Sequence, residues 1–500
     1  MAGKNKFWII PAVFVAVPLG ALLVRWLVVA PDSGDLPPIE RIILITLDTL
    51  RADHLGCYGY PRPTSPFIDE LAKESVIFKK PIAQIPLTVP SHASLFTARY
   101  PTGIGVLNNG HRLDDSYLTL AEFMKGKGYS PAAFVSTHRQ FSGTNLNQGF
   151  EYFDEPPFHE GSLNYRPAAE TVARVMEWMN GLPDSEQLFL WIHLFDTHHP
   201  YYPPRKYYDL FAETPAGETL SLIEPQEIDL DLLERLSPHE IGIEALVDNY
   251  CDGEKGGPSE ALVKLINAYD GEIRYLDEEL RRLYNRFEAT GLNKNALWII
   301  TADHGEGLGQ HGWIDHGVKI YNEAIHVPLI FHFPSGEVAP RSEEIPVELV
   351  DVFPTVAALL GLDIWEEGKI MGHPLTAAFN RKDSAPLQYQ TGKKLAFSRR
   401  SLLDDREELG KDWEPGDLYS IQDGSFKYFY RTQGEPEFYD LRTDPHETKN
   451  LSGKGGRTER NMKTILLERV QKLKAQRAGE APEPVDQETL VNLKALGYVN

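Results

Sequence analysis

Residues 42–48 read Ile-Ile-Leu-Ile-Thr-Leu-Asp, a β-branched apolar run that ends in a carboxylate. Such a run predicts a buried strand, because a strand covered on both faces has apolar side chains at nearly every position. Comparable apolar runs recur at Ala132–Val135, Leu188–Phe195, Ala296–Ile300 and Val327–Phe333. Helical patterns such as Ala261–Phe287 separate them. Strands that alternate with helices indicate an α/β fold, built on a large, mostly parallel sheet with helices on both faces.

Three of the predicted strands run into residues typical of metal or acid–base chemistry. The strand ends are followed by Asp48, by Asp196 and His198, and by Asp303 and His304. A single aspartate at a strand end is more often a helix cap or a turn former. In open α/β sheets, however, ligands bind beyond the carboxyl ends of the strands, so residues distant in sequence converge there. The three strand ends together therefore indicate one functional site.

The composition excludes some classes of function. The 500-residue chain has a formal net charge of -22 and a sequence pI near 5.2. A protein that holds nucleic acid needs a basic face to neutralise phosphates, so we expect no nucleic-acid partner. The two cysteines, Cys57 and Cys251, support neither a disulfide framework nor a cysteine metal site.

The N-terminal segment predicts a membrane anchor. From Phe7 to Val24 the chain carries no charged residue, and the apolar character resumes after Arg25 as far as Ala30. This length suffices to span a bilayer, which takes about 20 apolar residues. We expect one transmembrane helix at residues 7–30, with a removed signal peptide as the alternative. The lysines that precede it favour a catalytic domain on the periplasmic or extracellular side.

Shifts in composition predict the domain organisation. The expected divisions are a linker at 31–38, a catalytic domain at 39–395 and a C-terminal subdomain at 396–500. An acidic insertion at 205–258 interrupts the catalytic domain and is expected to form a lid or a surface excursion. Near the C-terminus, aromatic runs at 426–430 and 437–441 predict strands of a smaller antiparallel sheet.

Three motifs keep the order and spacing that they have in a known enzyme family. They are Leu44-Ile-Thr-Leu-Asp48 with Gly56-Cys-Tyr-Gly59, then residues 90–101, then Thr301-Ala-Asp-His-Gly-Glu306. With these motifs the chain resembles the sulfatases of the alkaline-phosphatase superfamily, from about residue 39 to the C-terminus. The resemblance implies an alkaline-phosphatase-like α/β/α sandwich with a smaller C-terminal antiparallel-sheet subdomain. It also implies a metal-dependent hydrolase of sulfate or phosphate esters.

The same resemblance assigns roles to individual positions. It implies a site for one divalent cation, Ca²⁺, Mg²⁺ or Mn²⁺, because hard oxygen ligands and one imidazole suit these ions. The implied metal ligands are Asp48, Thr88, Asp303 and His304. His198 matches the histidine near the leaving group and is the candidate general acid. The candidates for binding the substrate are His316, Lys319, Asn109 and His138.

The position of the catalytic residue departs from the family pattern. Typical sulfatases carry a Cys/Ser-x-Pro-x-Arg signature whose first residue is oxidised to formylglycine, whereas this chain has Thr88-Val-Pro-Ser-His92. Threonine cannot yield that aldehyde because its β-carbon carries a methyl group, so we expect no formylglycine. Thr49 also replaces a second aspartate of the family pattern. The resulting ligand set is similar to that of phosphoethanolamine and glycerol-phosphate transferases, which implies that Thr88 is both nucleophile and metal ligand.

Three functions remain open from the sequence. The first is a hydrolase of sulfate or phosphate esters, whose substrate is a glycan, a lipid or a small molecule. The second is a membrane-anchored transferase that moves a phosphoryl-containing group to an acceptor. The third is a catalytically silent binding protein, which the combined presence of metal-type and acid–base residues disfavours.

Overall fold

A computed structural model gives the fold of this protein. It describes residues 38–158, 165–183, 186–212, 258–336, 338–362, 364, 370–379, 395–400, 416–476 and 485–495. The predicted anchor at 7–30 and residues 213–257 of the predicted insertion lie outside this part of the chain, so both stay predictions. Within the described part, no helix combines the length and the apolar character needed to cross a membrane.

The chain alternates strands and helices over most of its length. The strands are β1 Arg41–Leu47, β2 Ser75–Ile82, β3 Ser130–Val135, β4 Tyr152–Asp154, β5 Leu188–Leu194, β6 Ala296–Ala302, β7 Gly307–Leu308, β8 Ile314–Asp315, β9 Leu329–His332, β10 Arg341–Glu348, β11 Ala396–Arg400, β12 Leu418–Gln422, β13 Phe426–Arg431 and β14 Glu437–Asp440. The helices are α1 Pro66–Ala72, α2 Thr88–Thr97, α3 Pro101–Ile104, α4 Leu120–Gly126, α5 Ala168–Met179, α6 Arg205–Ala212, α7 Pro258–Ala289, α8 Asn322–Ile325, α9 Val352–Leu359, α10 Gly456–Gln476 and α11 Gln487–Ala495. Short 3₁₀ helices lie at Ala52–His54, Gly56–Tyr58, Gln310–Gly312, Leu349–Asp351 and Thr376–Phe379.

The main sheet has eight strands in the order β10-β2-β9-β6-β1-β5-β3-β4. Strand β1 lies near the centre and pairs in parallel with β5 and β6. Strand β9 runs antiparallel to both of its neighbours, β2 and β6, and the other pairings are parallel. Parallel neighbours end at the same edge of a sheet, so the loops after β1, β5 and β6 meet there.

Helices cover both faces of this sheet, which explains the apolar sequence of β1. Ile43, Ile45 and Leu47 belong to one buried cluster, together with side chains of α1, α5 and α7. Ile42 and Leu44 point to the other face and belong to a second cluster with side chains of α2, α4 and α9. Successive side chains of a strand point to opposite faces, so a strand between two helical layers needs apolar residues throughout.

A smaller antiparallel sheet in the order β11-β12-β13-β14 forms the C-terminal subdomain. Helix α10 packs its apolar face on this sheet, where Met462 and Leu466 join a buried cluster with Phe397, Tyr419 and Phe438. The predicted mostly parallel main sheet and the predicted C-terminal antiparallel sheet are therefore both confirmed. Strand β11 begins at Ala396, although the domain boundaries as a whole stay predictions.

Several elements differ in detail from the sequence-based expectation. Strand β9 is shorter than the predicted run at 327–333, and α7 is longer than the predicted helix. Strands β2 and β10 were not predicted. Strand β2 contains two lysines and a proline, and β10 is an edge strand in which Pro346 costs no central hydrogen bond. Residues 205–212 of the predicted insertion form α6.

Candidate active site

Asp48, Asp303 and His304 lie together beyond the carboxyl ends of β1 and β6. Asp48 directly follows β1 and Asp303 directly follows β6, and the register that pairs Leu47 with Ala302 brings the two loops side by side. One ligand-type atom from each of the three residues lies within 4.8 Å of the others. The three side chains are at most 1% exposed. The predicted convergence of these residues therefore exists in the fold.

The donor atoms of this cluster fit a hard divalent cation. His304 Nδ1 donates to the carbonyl oxygen of Gly305 at 2.9 Å, so the neutral ring directs the lone pair of Nε2 towards Asp303 Oδ2, 3.4 Å away. Burial lowers the pKa of His304, so the neutral ring does not balance the negative charges of Asp48 and Asp303. Asp303 Oδ2 is buried and has no hydrogen-bond donor in the described part of the chain. Carboxylates that face a nitrogen lone pair in a buried site are the donor set that a cation stabilises.

Thr88 is the first residue of α2 and faces the same cluster. Its Oγ1 lies 3.3 Å from His304 Nε2, and its side chain is fully buried. The N-terminus of a helix favours negative charge, because its first N–H groups are unpaired and its dipole is positive there. Asn109 Oδ1 accepts a hydrogen bond from the Val89 N–H at 2.9 Å. Asn109 Nδ2 is buried without a hydrogen-bond partner among the described residues, so it is available to a substrate oxygen.

His92 occupies the position of the family's signature arginine and holds the start of α2. Its Nδ1 donates to the carbonyl oxygen of Thr88 at 2.8 Å, so its Nε2 accepts from Thr46 Oγ1 at 3.1 Å. Trp191 Nε1 donates to the same hydroxyl at 2.9 Å. Burial lowers the pKa of His92 to about 4, so the ring is neutral near neutral pH. These contacts fix Thr88 without adding a positive charge to the site.

A second buried histidine, His193, contacts a candidate metal ligand. Its Nε2 lies 3.2 Å from Asp48 Oδ2, and burial lowers its pKa to about 4. The neutral ring therefore donates Nε2–H to the carboxylate. Contacts of this kind orient metal ligands and tune their basicity. The sequence analysis missed His193, although a single imidazole within an otherwise apolar strand was the signal that could have found it.

His316 lies between two carboxylates, next to Asp48, Asp303 and His304, which together form the metal-type cluster. Its Nδ1 is 2.9 Å from Asp315 Oδ1 and 3.2 Å from Glu306 Oε1, and its ring centroid lies 4.6 Å from that of His304. Burial disfavours the imidazolium, but the two carboxylates outweigh it and raise the pKa of His316 well above its ordinary value. The ring is thus a cation at neutral pH, which suits the oxygens of an anionic ester.

Neither Glu306 nor Asp315 was a predicted site residue, although Glu306 ends the third sequence motif. With His316 they form a second group close enough to hold a metal ion. The ion pairs of His316 with Glu306 and Asp315 already explain why these three side chains lie close together.

His198 lies on the loop after β5, with its ring centroid 4.9 Å from that of His316. Its Nδ1 donates to the carbonyl oxygen of His199 at 2.6 Å, which makes Nε2 the atom that exchanges a proton. Burial, and then the charge of His316, lower the pKa of His198 well below its ordinary value. A general-acid role therefore requires the bound anionic ester to raise this pKa.

Crossed hydrogen bonds fix the His198 loop to the loop that follows β1. Thr197 Oγ1 donates to the carbonyl oxygen of Asp48, and Thr49 Oγ1 donates to the carbonyl oxygen of Thr197, both at 2.5 Å. Asp196 accepts from the first N–H of α5 at 3.0 Å. The candidate general acid is thereby held in a fixed position relative to the metal-type cluster.

The other two predicted pocket residues bind backbone carbonyl groups. Lys319 Nζ donates to the carbonyl oxygen of His311 at 2.8 Å. His138 lies on the loop after β3, and its Nδ1 donates to the carbonyl oxygen of Pro156 at 2.8 Å. The catalytic and substrate-binding roles assigned to all these residues stay predictions.

Comparison with known proteins agrees with the fold and the motifs. The family model described as "Sulfatase" matches residues 40–362, and the model "N-sulphoglucosamine sulphohydrolase, C-terminal" matches residues 309–476. The chain is 23% identical over 482 residues to the ulvan-active sulfatase of Formosa agariphila, covering 91% of this chain and 85% of that protein. It is 26% identical over 394 residues to the iduronate 2-sulfatase of Homo sapiens, covering 65% of this chain and 69% of that protein.

Solved structures share the alkaline-phosphatase-like α/β fold of this chain. A protein solved with its substrate D-glucosamine-2-N,6-O-disulfate superposes with a TM-score of 0.70 at 19% identity, over 87% of this chain and 98% of that one. The phosphonate monoester hydrolase of Agrobacterium radiobacter superposes with a TM-score of 0.68 at 22% identity, over 88% of this chain and 96% of that one. Because the sulfatase model matches well over half of the sequence, this chain belongs to the sulfatase family and is a sulfatase-family ester hydrolase.

Proposed function

We propose that this protein hydrolyses sulfate or phosphate esters with one bound divalent cation and with the hydroxyl of Thr88 as the nucleophile. One observation supports this assignment most directly. Thr88 Oγ1 lies 3.3 Å from His304 Nε2, at the start of a helix and beside the buried carboxylates of Asp48 and Asp303. A hydroxyl in that position is close to the candidate metal ligands, where a bound cation would activate it. It is also close to helix N–H groups that stabilise developing negative charge.

Asp48, Thr88, Asp303 and His304 would hold the cation. When bound, such an ion lowers the pKa of a neighbouring hydroxyl and offsets the negative charge of the ester. Ca²⁺, Mg²⁺ and Mn²⁺ all accept this set of oxygen donors with one imidazole.

The residues around Thr88 support a two-step reaction. In the first step the Thr88 hydroxyl gives up its proton to solvent and its oxygen forms a bond to the sulfur or phosphorus, while the ester bond breaks and the alcohol leaves with a proton from the protonated His198. In the second step water attacks the sulfur or phosphorus of the sulfo- or phospho-threonine, His198 takes up a proton of that water, and the bond to the Thr88 oxygen breaks. The inorganic anion leaves, and the Thr88 oxygen regains a proton from solvent. The use of one histidine as acid and then as base follows from microscopic reversibility.

His316 and Asn109 would bind the non-bridging oxygens during both steps. His316 contributes a positive charge that its two carboxylate neighbours maintain at neutral pH. Asn109 Nδ2 contributes a buried donor that has no other hydrogen-bond partner among the described residues. Lys319 and His138 remain further candidates for contacts with the substrate.

Sulfated glycans are the substrate class to test first. The names of several similar proteins refer to sulfated sugars, including ulvan-active sulfatase, iduronate 2-sulfatase and N-acetylglucosamine-6-O-sulfatase. Phosphorus esters belong in the same screen, because a threonine nucleophile needs no formylglycine. Similarity to phosphonate monoester hydrolases adds a third ester class.

The experiment is a substrate screen of the metal-loaded protein and of Thr88 variants. The parent is assayed with aryl sulfate, aryl phosphate monoester, aryl phosphate diester and aryl phosphonate monoester substrates that share one leaving group. It is then assayed with sulfated oligosaccharides. Thr88→Ala is expected to lose activity by at least about 1000-fold on the best substrate, whereas Thr88→Ser keeps a hydroxyl and retains measurable turnover. Full activity of Thr88→Ala on every substrate would overturn the proposal. Product release that requires an alcohol acceptor would instead identify a transferase.

A further inference from the structure

The last described helix, α11, packs against two loops that contain predicted site residues: His138, a candidate for binding the substrate, and His198, the candidate general acid. Asn492 and Leu493 are consecutive residues of this helix, and both are fully buried. Asn492 contacts the loop after β3, which contains His138, whereas Leu493 contacts the end of the β5 segment, directly before the His198 loop. One turn of a helix near the C-terminus thus joins two loops that are distant in sequence.

Leu493 reaches His198 through one aromatic ring. Leu493 and Phe195 form a small buried cluster of their own, with Tyr165 and Val485 packed against it. The ring of Phe195 stacks on the ring of His198, with the centroids 4.3 Å apart and the planes inclined by 19°. Because Phe195 contacts both Leu493 and the imidazole, the position of α11 affects how far the His198 ring can move.

Asn492 holds the backbone next to His138. Its Nδ2 donates a short hydrogen bond to the carbonyl oxygen of His138. His138 is 8% exposed, and its Nε2 has no hydrogen-bond partner in the described part of the chain. Its ring lies 5.8 Å from that of Phe158, which is 46% exposed. A buried ring nitrogen without a partner, beside an exposed aromatic ring, suits a contact with the organic part of an ester.

A polar clamp fixes α11 to the His138 loop. Arg139 Nη2 lies 2.6 Å from Asp486 Oδ2, and Arg139 Nε donates to Thr489 Oγ1 at 3.2 Å. A β-carbon added to Gly143 would lie 2.1 Å from Thr489 Oγ1, so only glycine allows the helix to approach this closely. Arg139 itself has a φ of 49°, a left-handed conformation that non-glycine residues adopt only where surrounding contacts enforce it.

We propose that α11 is a positioning element of the active site, which holds the His138 and His198 loops in register and thereby determines how well the enzyme cleaves esters of poor leaving groups. Such esters depend most on a proton from the general acid, so they are the most sensitive to the placement of His198. Esters of good leaving groups depend on it little. This inference rests on the general-acid role given to His198 in the proposed function.

The test compares variants of α11 in the full-length, metal-loaded protein. Leu493→Ala removes the support of Phe195, and Val491→Ala changes a 48% exposed residue of the same helix as the matched control. Turnover is measured over a series of aryl and alkyl esters of increasing leaving-group pKa, in the ester class that the parent cleaves best. For Leu493→Ala we expect a loss in kcat of about 10-fold to 100-fold on the poorest leaving groups and less than about 3-fold on nitrophenyl esters. Val491→Ala should match the parent throughout.

Two further variants make the result decisive. Leu493→Met keeps the apolar volume and should show the parental dependence on leaving-group pKa. It folds independently of whether the alanine variant does, so the comparison with the parent still holds if Leu493→Ala fails to fold. His198→Ala is measured in parallel and should show the steepest dependence. An Asn492→Ala variant is measured in the same series. Three results together would overturn the role of α11 alone: a steep dependence for His198→Ala, a uniform loss or no loss for Leu493→Ala, and the parental dependence for Asn492→Ala. A flat series for His198→Ala would overturn the general-acid assignment and this inference together.

Discussion

His193 shows how one side chain can adjust a candidate metal site that it does not enter. The other side chains of β5 are apolar, and the imidazole of His193 is completely buried. The neutral ring donates to Asp48 Oδ2 at 3.2 Å, which leaves Asp48 oriented towards His304. Partners of this kind are needed for tight metal binding although they are not ligands.

We expect His193→Leu to weaken metal binding by about 10-fold to 100-fold, because Asp48 loses its orienting donor. Calorimetric titration of the metal-free protein with Mn²⁺ measures the change without reference to any substrate. His332→Leu is the matched control, since His332 is also a buried histidine in the main sheet, with its pKa lowered by burial to about 4, but it contacts Ser75 and Tyr284 instead. Equal metal affinities of parent and His193→Leu would contradict this role.

Asp196 makes the stability of the protein depend on pH. Burial raises its pKa from an ordinary 3.8 to about 7. Between these values the folded state holds a proton that the unfolded state releases, so stability falls as pH rises through this window, by up to about 1.4 kcal/mol for each pH unit. Asp196→Asn keeps an acceptor for the first N–H of α5 and has no charge to bury. We expect its stability to exceed that of the parent increasingly from about pH 4 to about pH 7.

Urea unfolding at several pH values across this window measures the difference between Asp196→Asn and the parent. Two stability curves that stay parallel over the whole window would show that Asp196 does not hold the proton.

The sequence predicted the residues of the candidate metal site better than the residues that support them. Asp48, Asp303 and His304 were found because each follows an apolar strand, and strand ends are recognisable along the chain. His193 supports Asp48 only because β5 pairs with β1 in a particular register, which places it opposite Thr46. Such a relation exists between strands and leaves no motif in either one.

The hairpin β7–β8 and helix α8 connect the active site to the C-terminal sheet. His316 directly follows β8, and α8 follows a few residues later. Lys427 of β13 forms a buried ion pair with Glu447 at 2.7 Å, and its Nζ donates to Asn322 Oδ1 at 3.1 Å. Glu447 Oε2 also accepts from the Asn322 N–H at 2.6 Å. The C-terminal sheet therefore holds the far end of the segment that contains His316.

Breaking this ion pair should be costly. Burial lowers the pKa of Lys427 and raises the pKa of Glu447, so each charge is stable only beside the other. We expect Lys427→Met to reduce the free energy of unfolding by about 3–5 kcal/mol, and the double variant Lys427→Met with Glu447→Gln to lose less. Denaturant unfolding measures both. The exposed pair Arg281 and Glu70 is the control, where Arg281→Ala should cost at most about 1 kcal/mol.

A loss in Lys427→Met that matches the small loss in Arg281→Ala would show that the buried pair does not hold the two sheets together. A double variant less stable than Lys427→Met would contradict the view that the cost comes from an uncompensated charge.

The elements of the fold were predictable where burial alone shaped the sequence. β1, β5 and β6 are covered on both faces and read as apolar runs. β10 lies at an edge of the sheet, and the charged residues in its sequence Arg-Ser-Glu-Glu-Ile-Pro-Val-Glu made the strand hard to recognise. The contacts of Lys427 with Asn322 and of α11 with the His138 loop were not predictable, because each joins segments more than 100 residues apart through a single hydrogen bond.

For the molecule as a whole, metal should act as a stabilising ligand. The ligand-type atoms come from loops after two strands and from the start of a helix, so only the folded chain presents them together. We expect chelation to lower the Tm, and re-addition of Mn²⁺, Mg²⁺ or Ca²⁺ to restore it. The gain is about 2.7 kcal/mol when the free metal concentration is about 100 times the Kd.

Thermal unfolding with and without chelator measures this effect. Asp303→Asn is the control, because it removes a carboxylate charge from the site and should make the Tm insensitive to added metal. A parent protein whose Tm responds to neither chelator nor metal would contradict a metal site at Asp303.

The burial of the metal-type cluster has a kinetic consequence. Asp48, Asp303 and His304 are at most 1% exposed, so water reaches their outer atoms only when the surrounding loops open. Exchange of a bound ion is then expected to be limited by how often these loops open. We expect a purified sample to keep the ion that was most abundant where the chain folded until it has been equilibrated with a different ion. Activity measured soon after a change of metal reports the history of the sample.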